Sequence, residues 1–316
     1  MKAVSIDRRG RVSIRDVPVP AVGRREVRIA VDTAGVGSWD AEMRPEGRER
    51  FLVPGSDGAG LVVAGGAGVR RFRARERVYA YSYLNRKGGF HAELVTVLAK
   101  NVARVPRGLG MKDAGAIATT GLTALQGVDD ALRLRKGESV IVHGASGGVG
   151  TLALQFAKWR GARVLAIASG KDGVRLARRL GADVAVDGKR EDLRAAARRF
   201  APTGVDAVLA FVGGKSLARC LDAVKPRGGR LAYPNGVEPV PRKRKAIQVV
   251  AYDAVPGVRE FERLNRAIVA AKLKVPIAKT YPLERAADAY RFVRRGHVLG
   301  KVALRIRQVS RSTRKP

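Results

Sequence analysis

Cysteine is almost absent from this chain of 316 residues, in which Cys220 is the only one. One thiol cannot form an internal disulfide or supply a zinc site built from several cysteines. The surrounding sequence, SLARCLDAV, predicts a small buried helix residue rather than a nucleophile. The three histidines, His91, His143 and His297, lie in separate segments without the spacing of a zinc motif. The sequence therefore predicts no metal site, and we expect His143 to be a core or hydrogen-bonded residue.

Long apolar runs are also missing. No segment approaches the roughly 18 consecutive apolar residues that a membrane span requires, and the first residues enter a strand pattern without the features of a signal peptide. We therefore expect a cytoplasmic protein that does not enter the membrane. An apolar fraction of 46% is ordinary for a globular chain, and the length exceeds what one core usually supports. Two lobes are expected.

Aromatic and acidic residues are scarce. Aromatic residues make up 5% of the chain, and 28 acidic residues face 62 Lys and Arg, for a net charge of +34. A nucleic-acid module more often concentrates its basic residues and interleaves them with aromatics, whereas this charge is spread over the whole chain. Local basic runs are Arg70–Arg77, Arg242–Lys245 and Arg305–Lys315. We interpret them mostly as solvated surface and a frayed tail, and nonspecific, salt-sensitive binding of polyanions stays open.

Glycine, in contrast, is abundant and is concentrated at one informative place. The segment Glu138–Trp159, ESVIVHGASGGVGTLALQFAKW, joins an apolar strand pattern, a glycine-rich turn and a helix pattern without a gap. Such a turn brings backbone N–H groups against a pyrophosphate, at the positive N-terminus of the following helix. The sequence predicts that the pyrophosphate of a dinucleotide is held by Gly147, Gly148, Val149 and Gly150.

The choice of dinucleotide depends on the next strand pattern, Arg163–Ala168. An NAD site usually places an acid at the end of this strand to bind the ribose 2′-hydroxyl, and none stands there. Ser169, Lys171 and Arg175 offer a hydroxyl and two cations to a 2′-phosphate instead, which favours NADPH. Asp172 is the competing observation, because a shift of one residue in the loop could give it the acidic role.

The order of the patterns predicts an α/β fold. Short alternating runs up to Ala103 indicate a β-rich lobe, and from Leu122 helices and strands alternate as in a doubly wound parallel sheet. After Gly257 the chain turns to two helices and a last strand, which we expect to return to the first lobe. The predicted domains are residues 1–121, 122–258 and 259–316.

A set of motifs in this order resembles the medium-chain dehydrogenase/reductase superfamily, and within it the zinc-free quinone oxidoreductases related to zeta-crystallin. Besides the glycine turn, the motifs are AGVGSWD (34–40), PGSDGAG (54–60), GVRRFRARERVY (68–79), GGFHAE (88–93), GLTAL (121–125) and GHVLGKVAL (296–304). The resemblance covers nearly the whole chain. It implies a GroES-like first lobe, a Rossmann second lobe that binds NADP, and a homodimer formed through the Rossmann lobe, with the apolar strand Gly229–Pro234 at or near the sheet edge.

The resemblance also implies roles for single residues. Gly37 and the pair Ser56–Asp57 stand where zinc-dependent relatives carry ligands, so a catalytic zinc is not expected. Gly188 replaces a tyrosine that relatives often place near the adenosine phosphate, which leaves more of the 2′-phosphate to Ser169, Lys171 and Arg175. The remaining cofactor residues implied are Thr123 for the phosphates, Phe211, Val212 and Gly213 for the nicotinamide ribose, and Gly300 and Lys301 closing over the cofactor.

The predicted reaction is hydride transfer from NADPH to a quinone or an α,β-unsaturated carbonyl without zinc, because hydride addition to such acceptors gives a delocalised anion. An enoyl or alkenal double-bond reductase is the alternative, and a cofactor-sensing or RNA-binding protein with little turnover is the alternative of another class. The catalytic candidates are Asp40 and Tyr81. Asp40 could orient a substrate oxygen or cap a helix. Tyr81, with Tyr79 and Tyr83, could line the site or form one face of a strand.

Overall fold

The chain divides into two compact units. The computed structural model describes residues 1–47, 49–242, 244 and 246–306, so Lys243, Lys245 and most of the basic run Arg305–Lys315 lie outside the described residues. Unit 1 consists of residues 1–118 and 279–296 and the segment from residue 302, and unit 2 consists of residues 119–278 and 297–301.

Unit 1 is built mainly from β-strands, as its alternating sequence patterns predict. Its strands up to residue 118 are β1 (Lys2–Asp7), β2 (Val12–Asp16), β3 (Glu26–Val36), β4 (Phe51–Leu52), β5 (Asp57–Gly65), β6 (Arg77–Tyr81), β7 (Leu94–Leu98) and β8 (Val102–Arg104). The helical segments described in this part are two 3-10 helices, Trp39–Ala41 and Ala99–Asn101, and α1 (Met111–Ala114).

Unit 2 alternates strands with helices. Its helices are α2 (Ala118–Gln126), α3 (Gly150–Trp159), α4 (Gly170–Arg179), α5 (Leu193–Phe200), α6 (Lys215–Leu221) and α7 (Val258–Ala270). Its strands are β9 (Ser139–His143), β10 (Arg163–Ala168), β11 (Val184–Asp187), β12 (Ala207–Ala210), β13 (Arg230–Pro234) and β14 (Gln248–Tyr252). The chain then continues through β15 (Ile277–Pro282), α8 (Ala286–Arg294) and β16 (Lys301–Arg305).

The larger sheet of unit 1 is centred on β3. Its strand order is β15-β16-β3-β5-β6-β8, and β7 also pairs with β3. Val27, Ile29 and Val31 alternate along β3 and are all buried, as the period of a strand requires when one face covers a core. A smaller sheet has the order β2-β1-β4.

The sheet of unit 2 is parallel throughout, in the order β11-β10-β9-β12-β13-β14. All five residues of β9 are buried because both faces of the sheet are covered, which explains the unbroken apolar run in its sequence. The predicted α/β class, with a Rossmann sheet and a separate β-rich lobe, is confirmed. The carboxyl ends of β9, β10 and β12 form the edge at which doubly wound sheets bind ligands.

The observed division of the chain differs from the predicted domains in its second boundary, which lies after residue 278 rather than after 258. Helix α7 belongs to unit 2 because Arg263 forms ion pairs with Asp129 and Asp130 of that unit. Residues 297–301 also belong to unit 2, although the sequence placed all of 259–316 with the first lobe.

Two sequence expectations about unit 2 have clear outcomes. Cys220 is buried in α6, and burial raises the pKa of its thiol to about 12, as expected for a structural rather than a reactive cysteine. The edge strands of the sheet are β11 and β14, and the sequence analysis did not recognise β14. The segment Gly229–Pro234, predicted at or near the sheet edge, contains β13, which lies beside the edge strand β14 and is paired on both sides.

Among the helices that the structure describes, none is both long enough and apolar enough to cross a bilayer. The cytoplasmic location stays a prediction.

Candidate functional site

The glycine turn connects the carboxyl end of β9 to the N-terminus of α3, as predicted. A Cβ atom on Gly150 would lie 2.1 Å from the carbonyl oxygen of Gly144, so the turn itself requires glycine there. A Cβ on Gly147 would meet nothing closer than that same oxygen at 3.5 Å, an ordinary contact distance. The absence of a side chain at Gly147 is therefore not explained by packing, and it leaves open space in front of a helix N-terminus, where an anion is stabilised.

Residues near the end of the chain pack on this turn. Gly300 forms an isolated parallel bridge with Gly147, and its backbone N–H donates to the carbonyl of Ser146 at 2.8 Å. The side chain of Lys301 lies over the turn, with its Cδ 3.1 Å from the position of a Cβ on Gly148. The structure therefore brings Gly300 and Lys301 to the glycine turn, as the resemblance implied, and it does so within unit 2.

The segment after β12 lies beside the same turn. A Cβ on Gly144 would meet Val212 Cγ2 at 3.1 Å and Phe211 Cβ at 3.4 Å. His143 is buried and holds this segment: its Nδ1 donates to the carbonyl of Val212 at 2.9 Å, and its Nε2 accepts from the hydroxyl of Ser216 at 3.0 Å. Burial lowers the pKa of His143 to about 4, which keeps the imidazole neutral and fixes this tautomer. His143 is thus the hydrogen-bonded core residue that the sequence analysis expected.

A cavity of about 440 Å³ opens beside the carboxyl ends of β10 and β11. It is rich in cationic groups and is lined by Ser169, Gly170, Lys171, Asp187, Lys189, Arg190 and His297. The carboxylate of Asp187 accepts the backbone N–H of Lys189 at 3.0 Å, so this acid is engaged by its own turn. The cavity presents a hydroxyl and three permanent cations next to the N-terminus of α4.

Asp172 is paired within unit 2. Its Oδ2 lies 3.0 Å from Nε2 of His297, and its Oδ1 accepts the backbone N–H of Gly173 at 2.8 Å. These two hydrogen bonds, that from His297 first, hold the pKa of the Asp172 carboxyl below its ordinary value. The other imidazole nitrogen of His297 faces the hydroxyl of Ser169 at 3.4 Å. His297 therefore connects Asp172 to the rim of the cationic cavity.

A second polar cluster lies in unit 1, around Asp40. The buried carboxylate accepts the backbone N–H of Gly37 at 2.7 Å and the hydroxyl of Ser56 at 3.1 Å. The indole Nε1 of Trp39 donates to the same hydroxyl at 2.8 Å. A Cβ on Gly37 would lie 2.4 Å from two ring atoms of Trp39, so the indole occupies the space that any larger residue at 37 would need.

Comparison with known proteins gives the family of this chain. Residues 23–107 match the alcohol dehydrogenase GroES-like domain, and residues 180–304 match the family described as zinc-binding dehydrogenase. The quinone oxidoreductase of Rattus norvegicus is 30% identical over 290 residues, which are 87% of this chain and 87% of the rat protein. The chain belongs to the medium-chain dehydrogenase/reductase superfamily.

Two similar solved structures differ in the nicotinamide cofactor that their descriptions name. A protein described as an NAD-dependent alcohol dehydrogenase is 30% identical, with a TM-score of 0.88 and coverage of 97% of this chain and 100% of that one. A mycobacterial protein solved in complex with NADPH is 26% identical, with a TM-score of 0.86 and the same coverage. This chain is thus an oxidoreductase of a nicotinamide-dependent superfamily, and the preference between NADPH and NADH must be argued from its own residues.

Two predicted cofactor residues, Arg175 and Thr123, have different surroundings from those expected. Arg175 is exposed on α4 and is not among the residues that line the cationic cavity, where Lys189 and Arg190 stand instead. Thr123 lies in α2, and its hydroxyl donates to the carbonyl of Thr119 at 2.8 Å, so its hydrogen is committed inside the helix. The phosphate contact expected of Thr123 stays a prediction.

Lys189 and Arg190 are the cofactor candidates that the sequence analysis missed. They follow Gly188 directly, in the turn after β11, where the sequence analysis noted only the lost tyrosine. The signal was present, because two cations after the third strand of a Rossmann unit lie near the end of the second strand. A Cβ on Gly188 would lie 2.8 Å from Cγ2 of Ile167, so a close approach to β10 explains the glycine.

The two catalytic candidates in the GroES-like unit differ in accessibility, since Asp40 is fully buried and Tyr81 is half-buried. Asp40 does not cap the short helix that contains it, but accepts the N–H of Gly37 before that helix. Tyr79 is fully buried in β6, Tyr81 is half-buried at the end of that strand, and Tyr83 lies beyond it and is exposed. Tyr79 and Tyr81, two residues apart in β6, therefore lie on one strand face, and Tyr83 does not belong to it. Catalytic roles for Asp40 and Tyr81 stay predictions.

Proposed function

We propose that this chain is an NADPH-dependent reductase that delivers hydride to a quinone or an α,β-unsaturated carbonyl without a catalytic zinc. The observation that carries the proposal is the cationic cavity at the ends of β10 and β11, with Lys171, Lys189 and Arg190 in its lining. The rat relative is named a quinone oxidoreductase, which supports the class of substrate.

The preference for NADPH follows from the charge of this cavity. A 2′-phosphate carries about two negative charges and accepts several charge-assisted hydrogen bonds, which Lys and Arg supply. The lining holds three cations, Lys171, Lys189 and Arg190, against the one carboxylate of Asp187, whose Oδ1 accepts the backbone N–H of Lys189, so its net charge favours a 2′-phosphate. The hydroxyl of Ser169 makes no capping bond to α4 and lies 3.4 Å from Nδ1 of His297, so a phosphate oxygen would replace the imidazole as its partner. A ribose 2′-hydroxyl would leave the same cations without a partner.

The glycine turn fits the rest of the dinucleotide. Gly147 leaves open space, and the N-terminus of α3, a helix of 10 residues, faces it with partial positive charge. Lys301 adds a full charge close to Gly148, on the same side as Gly300. The pyrophosphate would be held by the backbone of Gly147 to Gly150, with Val212 and Gly213 beside the ribose that carries the nicotinamide.

Zinc independence is supported by the donor set in unit 1. A cysteine at position 37 would collide with the Trp39 indole, and Ser56 is part of a hydrogen-bond chain with Trp39 and Asp40. Among residues 1–47, 49–242, 244 and 246–306, no group of three His, Cys, Asp or Glu side chains is arranged to hold a metal ion. These residues do not fit the thiolate and imidazole ligands of a catalytic zinc.

The protein's part in the proposed reaction is mainly to position. NADPH, when bound, supplies the hydride. His143, kept neutral and fixed by Val212 and Ser216, holds the segment 211–213 in place at the carboxyl end of the sheet. Because the product anion of a quinone or enone is delocalised, it needs less electrostatic help than an alkoxide does. Asp40 acts through Gly37 and Ser56 as a positioning residue, and Tyr81 is the candidate for contact with substrate.

Turnover tests the proposal and its alternatives. NADPH oxidation is measured with a panel of quinones, enones and simple ketones, and activity with the first two classes and not the third supports the proposal. Activity confined to enones would favour the enoyl or alkenal double-bond reductase. Tight NADPH binding without turnover of any acceptor, together with RNA binding that weakens steeply with salt, would favour the cofactor-sensing or RNA-binding alternative.

We also propose that two chains associate through the Rossmann unit. The sheet has two edge strands, β11 and β14, and an open edge is a template for pairing with a symmetry mate. We assign the contact to β14, which lies beside the predicted segment Gly229–Pro234. The net charge of +34 opposes association, so salt should strengthen it by screening over about 8–10 Å. Light scattering across a salt series tests this: a monomer mass at every ionic strength rejects the dimer, and dissociation on adding salt rejects an apolar interface.

A further inference from the structure

A second cationic cavity lies in unit 1, formed by residues that the proposed reaction does not use. Its volume is about 480 Å³, and it is lined by Asp7, Arg8, Arg9, Arg11 and Arg50. Four guanidinium groups face one carboxylate, so the lining carries a positive charge. This concave site differs from the other basic segments of the chain, which the sequence analysis interpreted as solvated surface.

Strand pairing explains why these arginines meet. In the small sheet, Asp7 at the end of β1 pairs antiparallel with Phe51 at the start of β4, so the turn after β1 lies beside the residues before β4. Arg8 fixes this arrangement: its Nε donates to the carbonyl of Glu49 at 3.0 Å, and its Nη2 donates to the carbonyl of Gly47. Arg9 and Arg50 are thus brought to one cavity by the fold.

The single carboxylate of the cavity is already neutralised. Oδ2 of Asp7 accepts Nε of Arg11 at 2.7 Å, and Oδ1 accepts the backbone N–H groups of Arg9 and Arg11, each at 2.9 Å. The hydrogen bonds from Arg11 hold the pKa of Asp7 below its ordinary value. Arg9 and Arg50 are exposed, and within the residues that the structure describes their side chains make no hydrogen bond or ion pair.

The chemistry of these groups selects the ligand. Arginine presents a planar fork of donors that matches phosphate oxygens in pairs, and it stays charged at any physiological pH. The cavity is shallow and open to solvent, and its volume of about 480 Å³ gives room for more than one phosphate. We propose that this cavity is a binding site for a linear oligophosphate, either inorganic or carried by a nucleotide, with Arg9 and Arg50 as the principal contacts.

Calorimetric titration of the full chain with tripolyphosphate, and separately with ATP, tests the proposal. Removing both free guanidinium groups, in Arg9→Ala/Arg50→Ala, should weaken binding at least ten-fold at low salt. Arg9→Lys/Arg50→Lys keeps the charge and loses the fork, and it should weaken binding several-fold. If ATP binds more tightly to the wild type and loses that affinity in the alanine variant, the site takes a nucleotide. If tripolyphosphate does so, the site takes inorganic oligophosphate.

Two control variants remove the same charge elsewhere. Arg70→Ala/Arg73→Ala changes two exposed arginines of another segment of unit 1, and Lys189→Ala/Arg190→Ala changes the cofactor cavity. Arg70→Ala/Arg73→Ala should bind tripolyphosphate within about two-fold of the wild type, whereas Lys189→Ala/Arg190→Ala reports any tripolyphosphate that binds in the cofactor cavity. An equal loss in Arg70→Ala/Arg73→Ala, or full affinity in the lysine variant, would show attraction to the net charge alone. A loss confined to Lys189→Ala/Arg190→Ala would place the phosphate in the cofactor cavity. Each of these results overturns the proposal.

Discussion

The carboxylate of Asp172 lies 3.0 Å from the imidazole Nε2 of His297, across 125 positions of sequence. This pair bears on two interpretations of the loop after β10. A free Asp172 could accept the ribose 2′-hydroxyl of NADH, whereas a paired Asp172 leaves the loop to Ser169 and Lys171. The structure also brings Lys189 and Arg190 into the cavity that Ser169 and Lys171 line, and the proposed 2′-phosphate site rests on these residues.

The first prediction concerns Lys171. Replacing it in Lys171→Ala should weaken NADPH binding roughly ten- to a hundred-fold, because a charge-assisted phosphate contact contributes about 1.5–3 kcal/mol. NADH has no 2′-phosphate and should bind nearly as before. Arg179→Ala, at the exposed end of the same helix, is the matched control and should change neither affinity. Equal losses for both cofactors in Lys171→Ala would reject the phosphate role.

The second prediction separates two glycines of the turn. Gly150→Ala places its Cβ 2.1 Å from the Gly144 carbonyl oxygen, so it should lower the free energy of unfolding by at least about 2 kcal/mol. In Gly147→Ala the new Cβ makes only an ordinary contact, so the free energy of unfolding should stay within about 0.5 kcal/mol of that of the wild type. It should nevertheless weaken both cofactors about ten-fold or more, since its methyl group enters the open space. Urea unfolding and cofactor titration check the pair, and unchanged cofactor binding by Gly147→Ala would contradict the proposed pyrophosphate site.

How much of this site could be predicted depended on how local each part is. The glycine turn was predicted because strand, turn and helix are contiguous between residues 138 and 159, and each segment carries its own pattern. The cationic cavity was predicted only in part, because three distant segments around residues 169–171, 187–190 and 297 assemble it. Sequence periodicity does not show which turns will meet. Lys171 was therefore predicted from the sequence, and Lys189 was not.

Two features of the fold were missed for similar reasons. Strand β14 is short, with only partly buried residues, and it follows the basic run Arg242–Lys245, so its pattern resembles a loop. Helix α7 has a clear amphipathic pattern, but the pattern does not say which unit its apolar face covers. The ion pairs of Arg263 with Asp129 and Asp130 assign it to unit 2, and such a long-range contact is invisible to local sequence patterns.

The third prediction is a pH dependence of stability that comes from His143. Its pKa is about 4 in the folded protein and about 6.5 when unfolded, so the unfolded state binds the extra proton between these values. Stability should therefore fall as the pH falls from 6.5 toward 4, by about 2 kcal/mol between pH 7 and pH 5 from this residue alone. His143→Asn keeps a donor for the Val212 carbonyl and cannot titrate. Between pH 7 and pH 5 this variant should therefore lose about 2 kcal/mol less of its free energy of unfolding than the wild type does. Urea midpoints at the two pH values decide it, and identical pH profiles would contradict the assignment.

The fourth prediction is metal independence. Because Gly37 and Ser56 cannot replace the ligands of a catalytic zinc, dialysis against a strong chelator should leave NADPH oxidation unchanged. Activity and metal content are measured on the same sample before and after dialysis. A loss of activity that one equivalent of zinc restores would place this chain in the zinc-dependent branch of its superfamily.

The central claim is that the cavity lined by Lys171, Lys189 and Arg190 recognises the 2′-phosphate of NADPH. The most direct measurement is calorimetric titration of the wild-type protein with NADPH and with NADH in the same buffer at fixed salt. The structure predicts that NADPH binds at least ten-fold more tightly, with a difference that narrows as salt screens the phosphate. Equal affinities, or tighter binding of NADH, would contradict the claim.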